Sequence, residues 1–496
     1  MKIAVFVAVL LSAPLAAMAQ QSVTGAPRPA SFVHHAVSAN AAAQAAFDQG
    51  LLDYYAYNPE AAEHEFYTAA DLDPRLPMAW WGIALSNAPN LNVPPTGDRN
   101  DQARYAIERA NALEASASAE DRLFIDAAAA RFDDKTKAPA TALMVNYRDA
   151  LRRIADAYPN DPDAAALYAE AALYVAVGDL SENRESWTPV RRAAYVQTIA
   201  ALLPYFRSSL VKFPKHVGLL HFYIHASQLA NQSDKAVAAA AQLAAFTLPP
   251  EESHLTHMPG HTFFDVGMYQ QALDVGQRSV AMDYAAIDCC HPGFYSAARY
   301  YHGHNVSFLL YAMIQTGHVR DAVAVARRAD IPPLVARALV ADGQWKAVLD
   351  VPSTKGNDPT VSFARALAFA KLGDVGEAQE TLAKLPSASS AFPARVAIET
   401  AMRLMVQAQI ALDEKDDAKA LQLLSSASSE ATRGDVLAGG VEMPSIYYYS
   451  PHMALAELAI KMGNTNVARS ALEAELSASP HSSTATQALA RLEATK

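Results

Sequence analysis

Apolar residues recur three and four positions apart along most of this 496-residue chain, which is the spacing of one face of a helix. No stretch of the sequence shows the strict alternation of apolar and polar residues that marks a half-buried strand. Only 20 residues are glycine, and alanine-rich stretches run through the chain, a composition that favours helices. The pattern therefore predicts an all-α protein.

A repeat of about 34 residues organises this helical pattern, and residues 43–76 show it most clearly. Gly50, Ala62, Phe66, Ala69 and Pro74 stand at positions 8, 20, 24, 27 and 32 of that segment. Small residues at positions 8 and 20 allow two helices to approach closely, the phenylalanine fills the space between hairpins, and the proline ends the second helix. Each repeat is therefore predicted to be a helix hairpin.

Further copies follow along the chain. A second copy begins with Trp80, Ile83 and Ala84, and a loop over residues 88–95 delays its partner helix. Other copies are marked by a Gly-x-x-x-x-Ala turn, namely Gly267 with Ala272, Gly317 with Ala322, Gly373 with Ala378 and Gly463 with Ala468. The pattern is weaker between residues 101 and 213, where aromatic residues still indicate hairpins. We expect seven or more helix pairs stacked end to end.

These repeats resemble the tetratricopeptide repeat (TPR) superfamily over nearly all of the chain beyond the first 42 residues. The histidine-rich stretches 221–225, 254–261 and 301–305 are also similar to an exported bacterial subgroup that is distantly similar to tetratricopeptide repeat protein 38. The resemblance implies a right-handed α-α superhelix, a TPR-like solenoid of stacked helix hairpins. It also implies that the first helices of the repeats line a concave groove in which a protein or peptide partner binds.

The repeats and their boundaries suggest a division of the chain into six parts. The predicted parts are a signal peptide (1–19), an N-terminal segment (20–42), an N-terminal TPR pair with an inserted loop (43–115), divergent helical hairpins (116–216), histidine-rich TPR-like repeats that carry the groove site (217–330), and C-terminal TPR repeats (331–496).

The first residues have the layout of a secretory signal peptide. Lys2 precedes an apolar run over residues 3–16, and Ala17 and Ala19 supply the small residues that a signal peptidase recognises. Cleavage is expected after Ala19, so we predict a periplasmic or secreted protein. No later segment is long and apolar enough for a membrane span.

The charge of the chain limits its partners. The 40 basic and 51 acidic residues give a net charge of −11, which becomes −12 once Lys2 is removed with the signal peptide. Because phosphate binding depends on clustered Lys and Arg, this balance disfavours nucleic acid as a partner. An acidic shell would instead favour a cation.

Histidines are the residues most indicative of function. The pairs His221/His225 and His257/His261 fall at equal positions of adjacent repeats, on one face of the first helix. We expect six histidines to converge on one patch of the groove, namely His221, His225, His254, His257, His261 and His304, and His302 is a seventh candidate ligand. Because neutral imidazole is the commonest zinc ligand and also suits copper, the cluster is a candidate zinc or copper site. A groove for a histidine-rich peptide or an anion, and a hydrogen-bonded structural cluster, are the alternatives.

Other residues near the cluster have more than one interpretation. Asp265 follows His261 by one helical turn, so it is a candidate partner that orients this imidazole, or a base. Cys289, Cys290 and His291 lie just before His302. Adjacent cysteines form only a strained ring, so they are either soft metal ligands with His291, a labile redox pair, or ordinary core residues. Pro259 is expected to begin or kink its helix.

The sequence thus favours an exported binding or scaffold protein whose groove carries a metal, small-ligand or peptide site. It shows no HExxH motif, no glycine-rich phosphate loop and no activated nucleophile, which weighs against an enzyme. Two alternatives stay open. One is a metal-dependent hydrolase or oxidase that uses the histidine cluster, and the other is an assembly scaffold whose histidines are structural.

Overall fold

The structure is a computed structural model that describes residues 33–37, 40–92, 97–133, 135–178, 182–289, 295–353, 359–385, 390–438 and 449–494. The predicted signal peptide, Cys290 and His291 lie outside the described residues.

Every regular element in the described ranges is a helix, and none of them is a strand. The first half of the chain contains α1 (Ala41–Tyr55), α2 (Pro59–Leu72), α3 (Pro77–Ser86), α4 (Gly97–Ala112), α5 (Ala119–Arg131), α6 (Ala140–Ala157), α7 (Pro162–Val177), α8 (Pro189–Ala200), α9 (Leu203–Lys212), α10 (Val217–Leu229) and α11 (Val237–Ala244).

The second half contains α12 (Ser253–Asp265), α13 (Tyr269–Cys289), α14 (Tyr295–Gln315), α15 (Val319–Ala329), α16 (Pro332–Ala341), α17 (Trp345–Leu349), α18 (Pro359–Lys371), α19 (Val375–Ala383), α20 (Pro393–Asp413), α21 (Asp417–Ala438), α22 (Pro451–Lys461), α23 (Thr465–Ala478) and α24 (Ser483–Ala494). No helix in the described part of the chain combines the length and the apolar character needed to cross a membrane.

Consecutive helices pack against each other as hairpins, for example α1 with α2, α12 with α13, and α22 with α23. The predicted all-α fold of stacked helix hairpins is confirmed for the described residues. A single set of buried apolar residues runs from Val33 to Leu492, because each hairpin buries its apolar faces against its neighbours.

One turn geometry recurs in eight of these hairpins. The residue two positions after the first helix has a positive φ, and the next N–H donates to the carbonyl five residues back at 2.7–3.0 Å. This is the Schellman termination of a helix. The residues in this left-handed position are Tyr57, Asn231, Gly267, Gly317, Gly343, Gly373, Lys415 and Gly463. The Gly-x-x-x-x-Ala pattern of the sequence marks four of these turns.

Tyr57 is the unusual member of this set. It stands five residues before Ala62, so it occupies the glycine position of the repeat pattern. The left-handed conformation costs an L-residue about 1–2 kcal/mol relative to the right-handed one, a cost that glycine avoids.

The N-terminal hairpin docks onto the middle of the chain. The Tyr55 hydroxyl donates to Asp163 Oδ1 at 2.7 Å, and the Tyr54 hydroxyl donates to Glu170 Oε2 at 2.6 Å. Helix α1 also contacts α10. As a result α10 is buried over the whole of 217–228, and α12 is buried over the whole of 253–263. Helices buried on all sides line an interior and not a surface groove.

Phe66 is packed between the first two repeats as their pattern predicts. Its side chain is fully buried, and a Cβ at Gly50 would lie 2.8 Å from its ring. A Cβ at Gly82 would come closer still. Glycine is therefore required at both positions by the close approach of the aromatic ring.

The variant Gly82→Ala is expected to lose about 1–3 kcal/mol of unfolding free energy, because the added methyl group overlaps a ring that is buried on all sides. Denaturant unfolding measures the loss. The control is Gly376→Ala in α19, where the nearest atom to the new Cβ is 3.9 Å away. This control is expected to be neutral or to gain about 0.5–1 kcal/mol. Equal stabilities of the two variants would contradict the packing assigned to Phe66.

Candidate metal centre

Three helices of neighbouring hairpins supply the clustered histidines. His221 and His225 lie one turn apart on α10, His254, His257 and His261 lie on α12, and His304 lies on α14. Residues three and four apart share a helix face, so α10 and α12 each present their imidazoles to one side. Helix α12 packs against both α10 and α14, which brings the three sets together.

Helix α12 continues through Pro259, which lies inside the element. The prediction that Pro259 begins its helix is wrong, because α12 starts six residues earlier, at Ser253. His254, His257 and His261 therefore belong to one helix.

The six histidines form two groups. We call His221, His225 and His254 triad 1, and His257, His261 and His304 triad 2. Within each triad the candidate ligand nitrogens lie within 4.8 Å of one another. The triads adjoin: the rings of His254 and His257 are 6.3 Å apart, and those of His225 and His261 are 6.4 Å apart.

Triad 2 is the tighter group. Its three Nε2 atoms are separated by 2.9 Å (His257 to His261), 3.0 Å (His257 to His304) and 3.3 Å (His261 to His304). These separations would allow the three nitrogens to share one ion at zinc–nitrogen distances of about 2.0–2.1 Å. Three nitrogens in this arrangement leave a fourth coordination position open.

In triad 1 the Nε2 atoms of His221 and His225 are 3.0 Å apart. The Nδ1 of His221 donates to the carbonyl of Tyr55 at 2.6 Å, so its Nε2 carries the lone pair. The side-chain amide of Asn92 lies 3.3 Å from His254 Nε2. An imidazole whose second nitrogen donates to a carbonyl has the orientation typical of a metal ligand.

Most of these rings are buried. His221, His225, His254, His257 and His261 are at most 4% exposed, and His304 is half-buried. Burial, and then neighbouring imidazoles, hold the pKa of four of them well below the usual value: His221, His254, His257 and His261. Neutral rings have lone pairs available for a metal at neutral pH.

Three Nε2 atoms converge in triad 2. If one of them donates a hydrogen bond to a second, the third Nε2 atom still lies next to a lone pair. A cation shared by three lone pairs removes this conflict, which a purely hydrogen-bonded cluster does not.

Aromatic side chains form the walls of the site. Tyr57 packs against all three rings of triad 1, and Tyr301 stacks on His254 with the ring centres 4.1 Å apart. Phe308 lies 4.5–4.9 Å from all three rings of triad 2. The histidines, which were predicted to line a concave groove, are covered by the N-terminal hairpin and these aromatic rings, and five of the six are at most 4% exposed.

His302 lies apart from both triads. Its Nδ1 is 3.1 Å from Asp283 Oδ2, and the Asn305 amide donates to both oxygens of this fully buried carboxylate. His302 was a candidate ligand outside the six histidines that the repeat pattern brings together. It is two residues from His304, and residues two apart on a helix point to different sides.

Asp265 also has a different place from the predicted one. Its Oδ2 accepts hydrogen bonds from Gln228 Nε2 at 3.1 Å and Ser233 Oγ at 2.6 Å. Because His261 Nδ1 has no hydrogen-bond partner, Asp265 does not orient that ring. The carboxylate instead connects the end of α12 to the turn after α10. Cys289 is the last residue of α13.

A third group has ligand atoms close together, namely His35, Asp161 and Asp163. Burial lowers the pKa of His35, but the hydrogen bonds and charges of the aspartates, including Asp121, outweigh burial and raise this pKa well above its usual value. In the absence of an ion this group forms an ion-pair network that holds residues 33–37 against α5 and α7.

The sequence did not identify Tyr57, Tyr301, Phe308 or Asn92 as parts of the site. Only the position of Phe308, one turn after His304, is visible in the sequence. The others reach the histidines through contacts between distant parts of the chain.

The apo protein has a pH-dependent stability to which the buried imidazoles contribute. Their pKa values are lowered in the native state, so below about pH 6.5 the unfolded state binds more protons and stability falls. The double variant His257→Ala/His261→Ala lacks two of these groups. Urea unfolding between pH 7.5 and 5.0 should therefore show a loss smaller than that of wild type, by up to about 4 kcal/mol.

The control is His318→Ala, which alters a histidine outside both triads that is 51% exposed. A double variant with the same pH dependence as wild type would contradict the neutral state assigned to these rings.

No protein-family model matches the chain, and no curated protein matches it either. Solved structures similar to it include the human IFIT1 dimer with m7Gppp-AAAA, which is 11% identical, with coverage of 92% of this chain and 91% of that one and a TM-score of 0.33. The APC/C hetero-tetramer Cut9-Hcn1 is 13% identical, with 91% and 90% coverage and a TM-score of 0.30. Aspartyl phosphate phosphatase F from Bacillus subtilis is 11% identical, with 89% and 95% coverage and a TM-score of 0.33. Such distant likenesses carry no argument about function.

Proposed function

We propose that this protein binds transition-metal ions, one in triad 1 and one in triad 2. The observation that carries the proposal is the convergence of three Nε2 atoms of triad 2 at 2.9–3.3 Å. The helical-repeat scaffold fits a binding role, since it holds side chains from three neighbouring hairpins in register.

The chemistry of the ligands favours zinc or copper. Both triads consist of imidazoles, whereas magnesium and calcium prefer carboxylate and carbonyl oxygens. The adjoining position of the triads makes the site one buried array of six nitrogen ligands. We place this metal protein in the periplasm or outside the cell, as the signal-peptide pattern predicts.

The enclosure of the histidines favours a metal over a peptide. Five of the six rings are at most 4% exposed, so an extended peptide has no surface to lie on. An ion, and a small molecule bound to it, need much less space. The peptide-groove alternative is thereby disfavoured at this site, and partner binding elsewhere on the solenoid is a separate role.

A second candidate function is metal-dependent catalysis by a hydrolase or oxidase. The open fourth position at triad 2 favours it, because a catalytic ion needs a site for water or substrate. The half-buried ring of His304 marks the more accessible side of this triad. Only a small substrate fits an interior with aromatic walls.

The test is elemental analysis of the protein, purified from the periplasm of its own cells without a metal-affinity tag. We expect two equivalents of zinc or copper. His257→Ala/His261→Ala removes two of three ligands from triad 2 and should leave one equivalent. His221→Ala/His225→Ala should likewise leave the ion of triad 2, and His318→Ala should leave both.

The metal function would be refuted if the purified protein contained no zinc, copper, nickel or iron and bound none of them after dialysis against the free metal. Turnover on a substrate panel by the loaded protein separates the catalytic candidate from simple binding.

A further inference from the structure

The turn between α1 and α2 contacts the metal centre in two ways. The carbonyl of Tyr55, the last residue of α1, accepts the Nδ1–H of His221 at 2.6 Å. Two residues later, the ring of Tyr57 lies 4.7 Å from the ring of His221, 5.9 Å from that of His225 and 6.4 Å from that of His254. One turn of the N-terminal hairpin therefore contacts all three members of triad 1.

Tyr57 occupies a backbone position to which its residue type is poorly suited. Seven other hairpins have the same left-handed turn, and five of them place glycine there. The two remaining residues, Asn231 and Lys415, have exposed side chains. Tyr57 is the only one of the eight whose side chain is directed into the interior, where it is 1% exposed.

Backbone strain of this kind persists where the surroundings hold it in place, and it is found most often at functional sites. If the ring served only to fill the core, one of the larger residues inside α1 or α2 would supply that volume without the unfavourable φ. The position of the ring near three candidate ligands supplies a specific reason for an aromatic side chain.

Metal-binding histidines depend on the groups that fix their ring orientation. In triad 1 the Tyr55 carbonyl fixes the tautomer and one axis of His221, and the Tyr57 ring limits the rotation of all three imidazoles. Triad 2 has its own ring in this role, Phe308, which lies on the same helix as His304.

We propose that the α1–α2 turn is part of the metal site, and that Tyr57 is a positioning residue that holds the imidazoles of triad 1 in their ligating orientation. The inference rests on the proposed metal function. It also implies linkage: an ion in triad 1 ties the N-terminal hairpin to α10 and α12, because the turn and the ion act on the same three rings.

The test uses the full chain in two backgrounds that each retain one triad. In His257→Ala/His261→Ala, which keeps triad 1, zinc affinity is measured by competition with a chromophoric chelator. Tyr57→Gly removes the ring, and glycine adopts the left-handed backbone conformation readily. This variant therefore tests the effect of the ring without disturbing the turn. We expect Tyr57→Gly to weaken zinc binding about 10–100-fold. Tyr57→Phe, which keeps the ring, should retain affinity within about threefold, as expected if the ring holds the ligands.

Two controls identify a general structural effect. Lys415→Gly also introduces glycine at the left-handed position of such a turn, away from the histidines. It should leave zinc affinity unchanged. In the background His221→Ala/His225→Ala, which keeps triad 2, Tyr57→Gly should also leave affinity unchanged. The visible spectrum of cobalt-loaded triad 1 should change in Tyr57→Gly and not in Lys415→Gly. Tyr57→Asn, which introduces the residue type that the turn after α10 has at Asn231, is the second variant if Tyr57→Gly does not fold.

The outcomes separate the two proposals. The role of Tyr57 would be overturned if folded Tyr57→Gly or Tyr57→Asn left the zinc affinity of triad 1 unchanged. It would also be overturned if the substitution weakened zinc binding equally at both triads. The metal function would stand in either case. The absence of zinc and cobalt binding from both backgrounds and from wild type would overturn the metal function, and this inference with it.

Discussion

The convergence of imidazoles in a buried interior is the constraint on which the central part of this structure depends. A buried polar group costs free energy unless it finds a partner, and here the nitrogens face each other. His257 and His261 are each 1% exposed, and their Nε2 atoms are 2.9 Å apart. Lone pairs at this distance repel unless a proton or a cation lies between them. The chemistry of the site thus follows from burial as much as from the residue types.

The hairpin repeat is what makes this convergence possible. Each Schellman turn reverses the direction of the chain with nearly the same backbone geometry. Equal positions of successive first helices therefore become neighbours in space. Helices α10, α12 and α14 stand in such a series, and their side chains at three- and four-residue spacing face one another. A regular scaffold therefore creates a site without any local metal-binding motif such as HExxH.

The N-terminal hairpin changes what this site can do. In a simple solenoid each repeat contacts only its neighbours. Here Tyr55 reaches His221 across 166 residues of sequence, and the docked hairpin covers the histidines. The helix faces that would line a peptide groove are therefore buried, and aromatic side chains pack against them. The same docking makes residues of a turn, including Tyr57 in its left-handed conformation, part of the surroundings of the imidazoles.

The sequence by itself determined the all-α repeat fold, because helical periodicity, small residues and glycine turns are local properties of the chain. It also placed six of the histidines in spatially adjacent positions, since equal repeat offsets imply proximity. Only the tertiary structure decided that these six divide into two triads, that His302 faces Asp283, and that Asp265 bonds to Gln228 and Ser233. It alone decided the enclosure by Tyr57 and Tyr301. These outcomes depend on side-chain direction and on contacts between distant segments, and neither is contained in local spacing.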